Sequence, residues 1–437
     1  MDRVRSWVVA ISFMAGFFFL GSFVERTHTG YLMITVAFLF LAYGYVCWSN
    51  PSNLLFWLVV AGVCRLVMCL ELPQLSDDFY RFIWDGRLWL QGQHPFEKLP
   101  PDFLAMNLES LDTTLYQKLN SKNYFTVYPP FAQVVFWIST KWSGSISGSV
   151  AIMRLLILLA EAGSCYLLIQ IIRHWHLPTA SVLYYMLNPL VIIELTGNVH
   201  FEAFMVLFVL GVIYAWIHHK TVVAAWMLAC AVAFKLTPLI LVPFLIFQLS
   251  LRQALLFLTV LCLSMALFLW PMYSAAMIQN FQQSIHLYFQ TFEFNASLYY
   301  LLREYGFWKW GFNTIHTIGW KLAWISFIGI IAFSWYQARW SVSTDKRHLA
   351  AGFLFIYVMY LMCATTVHPW YLAPLIMLAT LSGYRFALVW SGLIFFTYTG
   401  YHPEGYSENL ILTATEYLIL LLYLGYEVLW KRSTAGA

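Results

Sequence analysis

The sequence predicts an all-α, polytopic membrane protein, and three observations carry the prediction. Of 437 residues, 61% are hydrophobic and only 10% charged, where a soluble domain carries about a quarter charged residues. Apolar runs of roughly 17–25 residues, the length that crosses a hydrocarbon core, recur along the chain. The 20 tryptophans and 27 tyrosines suit a protein with many membrane–water edges, where amphipathic rings settle. The formal net charge of +4 is spread along the chain, so no basic stripe points to nucleic acid. All seven cysteines lie in or beside apolar runs and read as small core hydrophobes without a disulfide framework.

In chain order, the first apolar run, 6–24, follows the basic residues Arg3 and Arg5. With no A-x-A-like site after it, the run reads as an uncleaved span whose basic flank keeps the N-terminus cytoplasmic. Spans at 30–48 and 53–72 follow, an odd count that delivers residues 73–128 to the extracytoplasmic side. Candidates at 129–141, 150–172, 178–196, 199–217, 221–246 and 251–270 come next, the first short enough to be re-entrant. A second outer loop, 272–314, precedes spans at 316–340 and 348–367. Asp345, Lys346 and Arg347 form a basic-leaning loop between those two spans, and Lys431 and Arg432 follow a last span at 410–430. Both basic groups read as cytoplasmic. The expectation is a single membrane domain over 1–437 with about 12–14 spans, cytoplasmic termini and two sizeable outer loops, 73–128 and 272–314, bearing short amphipathic helices.

The most informative stretch is 76–96, SDDFYRFIWDGRLWLQGQHPF. Clustered charges at the lip of a membrane are costly to desolvate and mark functional sites. On a helix, Asp78, Arg81 and Asp85 share a face. That face either holds an ionised base beside an arginine or is a salt-bridged interfacial helix. Phe79, Tyr80, Trp84 and Trp89 offer sugar-stacking or membrane-interface surface. Arg65, inside the third span, either snorkels outward or binds a phosphate bidentately. Glu161, Glu194, His200 and Glu202 lie on or beside apolar runs. Lys235 sits in a stretch interrupted by Pro238 and Pro243, and prolines shape cavities in membrane helices. For each of these a structural pair between helices is the plain alternative. His368 precedes Pro369 at the outer end of a span, on the same side as Asp78. Asn295 stands as an N-cap for the helix that follows it. No P-loop, G-x-G-x-x-G, H-E-x-x-H or cysteine metal motif is present, so nucleotide hydrolysis and zinc chemistry have no support.

The order of these motifs resembles the GT-C superfamily of polytopic glycosyltransferases. It runs from Asp77-Asp78 with WDGR and G-x-x-P-F, through Tyr128-Pro129-Pro130, Asn188-Pro189, Glu194 and Gly197-Asn198-x-His200. Lys235 with its prolines and His368-Pro369-Trp370-Tyr371 complete it. The nearest group is the bacterial polyprenyl-phosphate-dependent mannosyltransferases; the catalytic subunit of GPI mannosyltransferase I is a more distant relative. The resemblance covers about 77–374 and departs from the family in placing three spans, instead of one, before the acidic loop. It implies a GT-C type fold in the bacterial inner membrane and an extracytoplasmic active site. The donor would be a hexose, mannose favoured, on a polyprenyl phosphate, and the acceptor a lipid-linked molecule or a glycan.

In that chemistry Asp78 or Asp77 takes the acceptor proton. Arg65, His368, Lys235 and Arg81 are candidates to meet the leaving phosphate, which gathers charge. Asp85, Arg87, Tyr128, His200, Glu202, Trp370 and Tyr371 are candidate supporting or substrate-binding residues. No cofactor is required. A divalent metal at Asp77 and Asp78 is compatible with the pair, but cationic side chains make it unnecessary. The rival reading is a transporter or lipid flippase with Glu161, Glu194, Glu202 and Lys235 along a polar pathway, although no paired halves with matching broken helices are evident.

Overall fold

In the computed structural model, which describes residues 3–49, 51–340 and 346–435, helices account for nearly all regular structure. Asp345 and the side chains of Lys431 and Arg432 lie outside that description. Among the described residues six helices are long and apolar enough to cross a membrane: Arg3–Phe23, Thr29–Ser49, Ile146–His174, Leu251–Met272, Ile315–Trp340 and Leu410–Leu429. A bent pair, Thr179–Met186 and Pro189–Gly197, turns by 51° and counts as a seventh if it is one span. The expected 12–14 spans would need most of the shorter apolar helices, such as Leu54–Met68, Glu202–Ile217 and His348–Cys363, to cross as well. Large apolar side chains project from the long helices, among them Ile34, Leu41, Leu267 and Ile328. Such a surface suits lipid, where backbone polar groups must be satisfied internally.

The first three helices, α1 (Arg3–Phe23), α2 (Thr29–Ser49) and α3 (Leu54–Met68), precede the acid pair as the sequence predicts. Asn53 opens α3 by accepting from the Phe56 amide at 3.1 Å, which satisfies one of the helix's unpaired donors. α4 (Asp78–Leu90) then lies across the helix Pro130–Trp142. Gly86 permits that approach, because a Cβ there would collide with the Phe136 carbonyl oxygen. Phe82 stacks on Phe136 at 4.7 Å. Phe79, Phe82 and Trp84 are each no more than 2% exposed. The α4 aromatics Phe79 and Trp84 therefore pack the core and offer neither a sugar platform nor a membrane edge; Tyr80 and Trp89 are half-buried.

The two long loop regions, 73–128 and 272–314, dock onto each other. Asn280, on Ala275–Gln290, donates to the Phe96 carbonyl at 2.7 Å, and Ser284 donates to the Phe125 carbonyl at 3.3 Å. Further along, the Val367 amide donates to the Phe294 carbonyl at 2.8 Å, and the Phe294 amide to the Thr365 carbonyl at 3.1 Å. The second loop is thereby fixed against the stretch that carries His368. Asn295 does not cap the following helix: Ser297 takes the N-cap position, while the Asn295 side-chain amide donates to Glu416 at 3.1 Å.

Candidate active site

The site is assembled from four places in the chain: the start of α4, the segment 192–202, Lys235 and the stretch 368–371. At the first, the Asp78 amide donates to Ser76 Oγ at 3.3 Å, and Asp77 stands at the N-cap position without a side-chain cap. Asp77 is instead ion-paired with Arg26, each side chain about one-third exposed at 34% and 33%. Among the described residues Asp78 has no such partner; its Oδ1 accepts from Asn120 Nδ2 at 2.8 Å. Asp78 is half-buried. Burial raises its pKa above the ordinary aspartate range, opposed by the Asn120 hydrogen bond and the charges of Lys235 and Arg26, while Asp77 adds to the rise.

The second place is a π-turn, Ile192–Gly197, a widened helical turn of the kind that recurs at functional sites. Arg154 satisfies the carbonyls that the turn releases, donating to Thr196 O at 3.0 Å and Gly197 O at 2.6 Å, and it also reaches Glu71 O at 2.5 Å. Glu194 accepts from Asn198 at 3.0 Å and from the Tyr398 hydroxyl at 2.7 Å. Val199 has a φ of +63°, a left-handed conformation that is an outlier for a β-branched residue. Such strain persists only where the surroundings enforce it, and Val199 is fully buried. The turn aims His200 at Trp370, with ring centroids 3.7 Å apart. His368 stacks on the same indole at 4.4 Å and 10°. Among the described residues, His200 Nε2 and His368 Nδ1 are buried without a hydrogen-bond partner, though the former lies 3.4 Å from Glu194 Oε2.

Lys235 joins these parts. The helix Thr221–Phe234 ends at Lys235, which is extended before the proline-containing turn Thr237–Leu241. Its ammonium pairs with Glu202 at 2.6 Å and lies 5.2 Å from the centre of the Tyr371 ring. The Lys235 side chain keeps 23% of its surface exposed. Its charge acts on Asp78, His200 and His368 together. Burial first, and then Lys235, lowers the pKa of His368, in the connection between helices, to about 3, so its ring is neutral near pH 7. Asp78, Lys235, Glu202, His200, His368, Trp370 and Tyr371 therefore belong to one neighbourhood.

Other sequence candidates sit elsewhere or are occupied. The Arg65 guanidinium is buried, pairs with Glu161 at 2.7 Å and donates to the Ala61 and Met186 carbonyls. It neither snorkels nor presents itself to the acid pair; it is a pair between helices. Arg81 pairs with Asp85 at 2.8 Å and holds the Ser121 and Tyr124 carbonyls. Asp85 is completed by Thr126 at 2.5 Å and Gln133 at 3.0 Å. That face of α4 is the salt-bridged alternative, with Asp78 standing apart from it. Arg87 ties the Ser110 and Gly144 carbonyls together. Tyr128 packs against Phe82 and Phe136. Arg26, Asn120 and Tyr398 were not found from sequence. Only Arg26 carries a readable signal, a cation in the short connection after the first span. Among the described residues no third His, Cys, Asp or Glu joins Asp77 and Asp78 to form a metal-binding group.

An acid held above its usual pKa, beside a cation and buried imidazoles, can remove a proton from a hydroxyl and receive an anionic leaving group. Residues 10–250 match the family described as Alpha-(1->6)-mannopyranosyltransferase, N-terminal domain. Among curated proteins, none matches the chain.

Proposed function

The chain belongs to the alpha-(1->6)-mannopyranosyltransferase family, a GT-C mannosyltransferase family of membrane proteins, and we propose that it takes mannose from a polyprenyl phosphate and passes it to a lipid-linked or glycan hydroxyl. Asp78 is the base. As it accepts the hydroxyl proton, the acceptor oxygen bonds to the anomeric carbon and the bond from that carbon to the phosphate oxygen breaks. The polyprenyl phosphate leaves with the electron pair, so configuration inverts in one displacement. An α-(1→6) product, the linkage in the family's description, then requires a β-configured donor. A phosphate leaving group needs little protonation, so no second carboxylic acid is called for, unlike the pair a glycosidase uses.

The observation that carries this reading is the division of labour between the acids. Asp77 is neutralised by Arg26, whereas among the described residues Asp78 has only an amide partner and feels the charge of Lys235. Lys235 and the neutral ring of His368 receive the phosphate, and His200, Glu202, Trp370 and Tyr371 hold them in position. The site faces the extracytoplasmic side of a bacterial inner membrane, with cytoplasmic termini. Support comes from Arg3 and Arg5 ahead of three helices that precede Asp77. On that side a lipid-borne donor is at hand and cytoplasmic nucleotide sugars are not. No metal is needed when a lysine supplies the charge.

Reconstitution in proteoliposomes tests the donor. Transfer should occur from polyprenyl-phosphate mannose and be absent from a nucleotide mannose, with an α-(1→6) linkage in the product. Use of the nucleotide sugar alone would overturn the donor assignment.

A further inference from the structure

At the end of the bundle opposite the acid pair lies a cavity of about 480 Å³. Cys47 and Trp48, in the last turn of α2, help to line it. Arg26 precedes the first turn of the same helix, so about 30 Å of helix separates the two sites at ~1.5 Å per residue. This is close to the thickness of a hydrocarbon core. The cavity therefore opens at the other membrane–water boundary and cannot share a ligand with the acid pair.

Its lining contains two arginines, Arg347 and Arg385, and, among the described residues, no Asp or Glu. Arg385 stands over the Tyr184 ring at 5.5 Å and donates through Nη2 to the Tyr184 hydroxyl at 3.3 Å. Tyr184 is itself fixed through its carbonyl, which accepts from Tyr43 at 2.7 Å. Glu427, the nearby acid, is used by the backbone: it accepts from the amides of Arg385 and Phe386 at 2.9 Å each. Among the described residues no carboxylate pairs with the Arg385 guanidinium. The rest of the lining is largely apolar, including Pro51, Leu177 and Leu183, and Trp48 is 86% exposed at the rim. Guanidinium groups bind phosphate oxygens through forked hydrogen bonds, and a basic pocket between helices at a membrane edge suits an anionic headgroup. An exposed tryptophan at that level suits an acyl chain beside it.

We propose that this cavity binds the phosphate headgroup of an anionic membrane lipid, with Arg385 and Arg347 as the phosphate partners and Trp48 beside the lipid tail. Free phosphate shares the headgroup chemistry, but the apolar lining favours the amphiphile.

Native mass spectrometry of the full chain in detergent, titrated with phosphatidylglycerol, phosphatidylcholine or inorganic phosphate, tests the assignment. A phosphatidylglycerol adduct should form preferentially and weaken about tenfold or more in Arg385→Gln, the loss expected for a charge-assisted hydrogen-bonding partner. Arg347→Gln should weaken it in the same direction, and Arg385→Lys should restore part of it. Mannosyl transfer by Arg385→Gln reports whether the fold is intact; if it is lost, Arg347→Gln and Arg385→Lys decide. Equal binding of phosphatidylcholine, equally tight binding of inorganic phosphate, or an adduct unchanged in both glutamine variants would overturn the proposal.

Discussion

Asp78→Asn separates a catalytic acid from a structural one. The substitution removes the charge but keeps an oxygen that can accept from Asn120, now 2.8 Å from Oδ1. No ion pair is lost, because among the described residues no cation pairs with Asp78. Burial raises the folded-state pKa of Asp78 above its unfolded value. The folded protein therefore holds this proton more tightly than the unfolded chain does. The stability that Asp78 contributes is complete below the unfolded pKa and is lost as pH rises through the folded one. At neutral pH the asparagine variant should unfold at the same temperature as the parent or a higher one. Its transfer rate should fall by ~10²–10⁴, the usual contribution of a positioned base, or ~2.7–5.5 kcal/mol of barrier. Asp77→Asn should behave the other way. It breaks the Arg26 pair, whose side chains are one-third exposed, so solvent screening limits the loss to ~0.2–1 kcal/mol. Its rate should fall less than about tenfold, the most such an energy supplies. The parent's rate should decline on the acid side at a pH above the ordinary aspartate value of ~3.9. Initial rates in proteoliposomes across that limb, paired with thermal unfolding of each variant, give both readouts. The reasoning is refuted if Asp78→Asn keeps its rate, if Asp77→Asn loses as much, or if Asp78→Asn loses activity only together with stability.

Two further outcomes follow from contacts outside the site. Arg65→Ala leaves Glu161 buried and uncompensated, which should cost ~3–5 kcal/mol; thermal unfolding should show a far smaller loss when both residues are replaced together by apolar ones. In Gly86→Ala the new methyl meets the Phe136 carbonyl oxygen, so α4 must move off its neighbour at a cost of ~1–3 kcal/mol. Unfolding should come earlier and transfer should weaken as Asp78 shifts; unchanged unfolding would mean that α4 packs differently.

Sequence alone was enough for the helical membrane class and the three helices ahead of the acid pair. Each of these depends on apolar run length and on local order, which are properties of neighbours in the chain. The same reasoning grouped Asp78, Arg81 and Asp85 by helical spacing, and spacing could not say which of them was already satisfied. Tertiary structure decided that, because Asp85 meets Thr126 and Gln133 more than forty residues away. It paired Arg65 with Glu161, 96 positions along. It also distinguished two adjacent acids by bringing Arg26 to Asp77. Hydropathy reports what one segment prefers to be dissolved in. Which charge remains available for chemistry depends on the partners that folding brings to it, and those partners lie far apart in the chain.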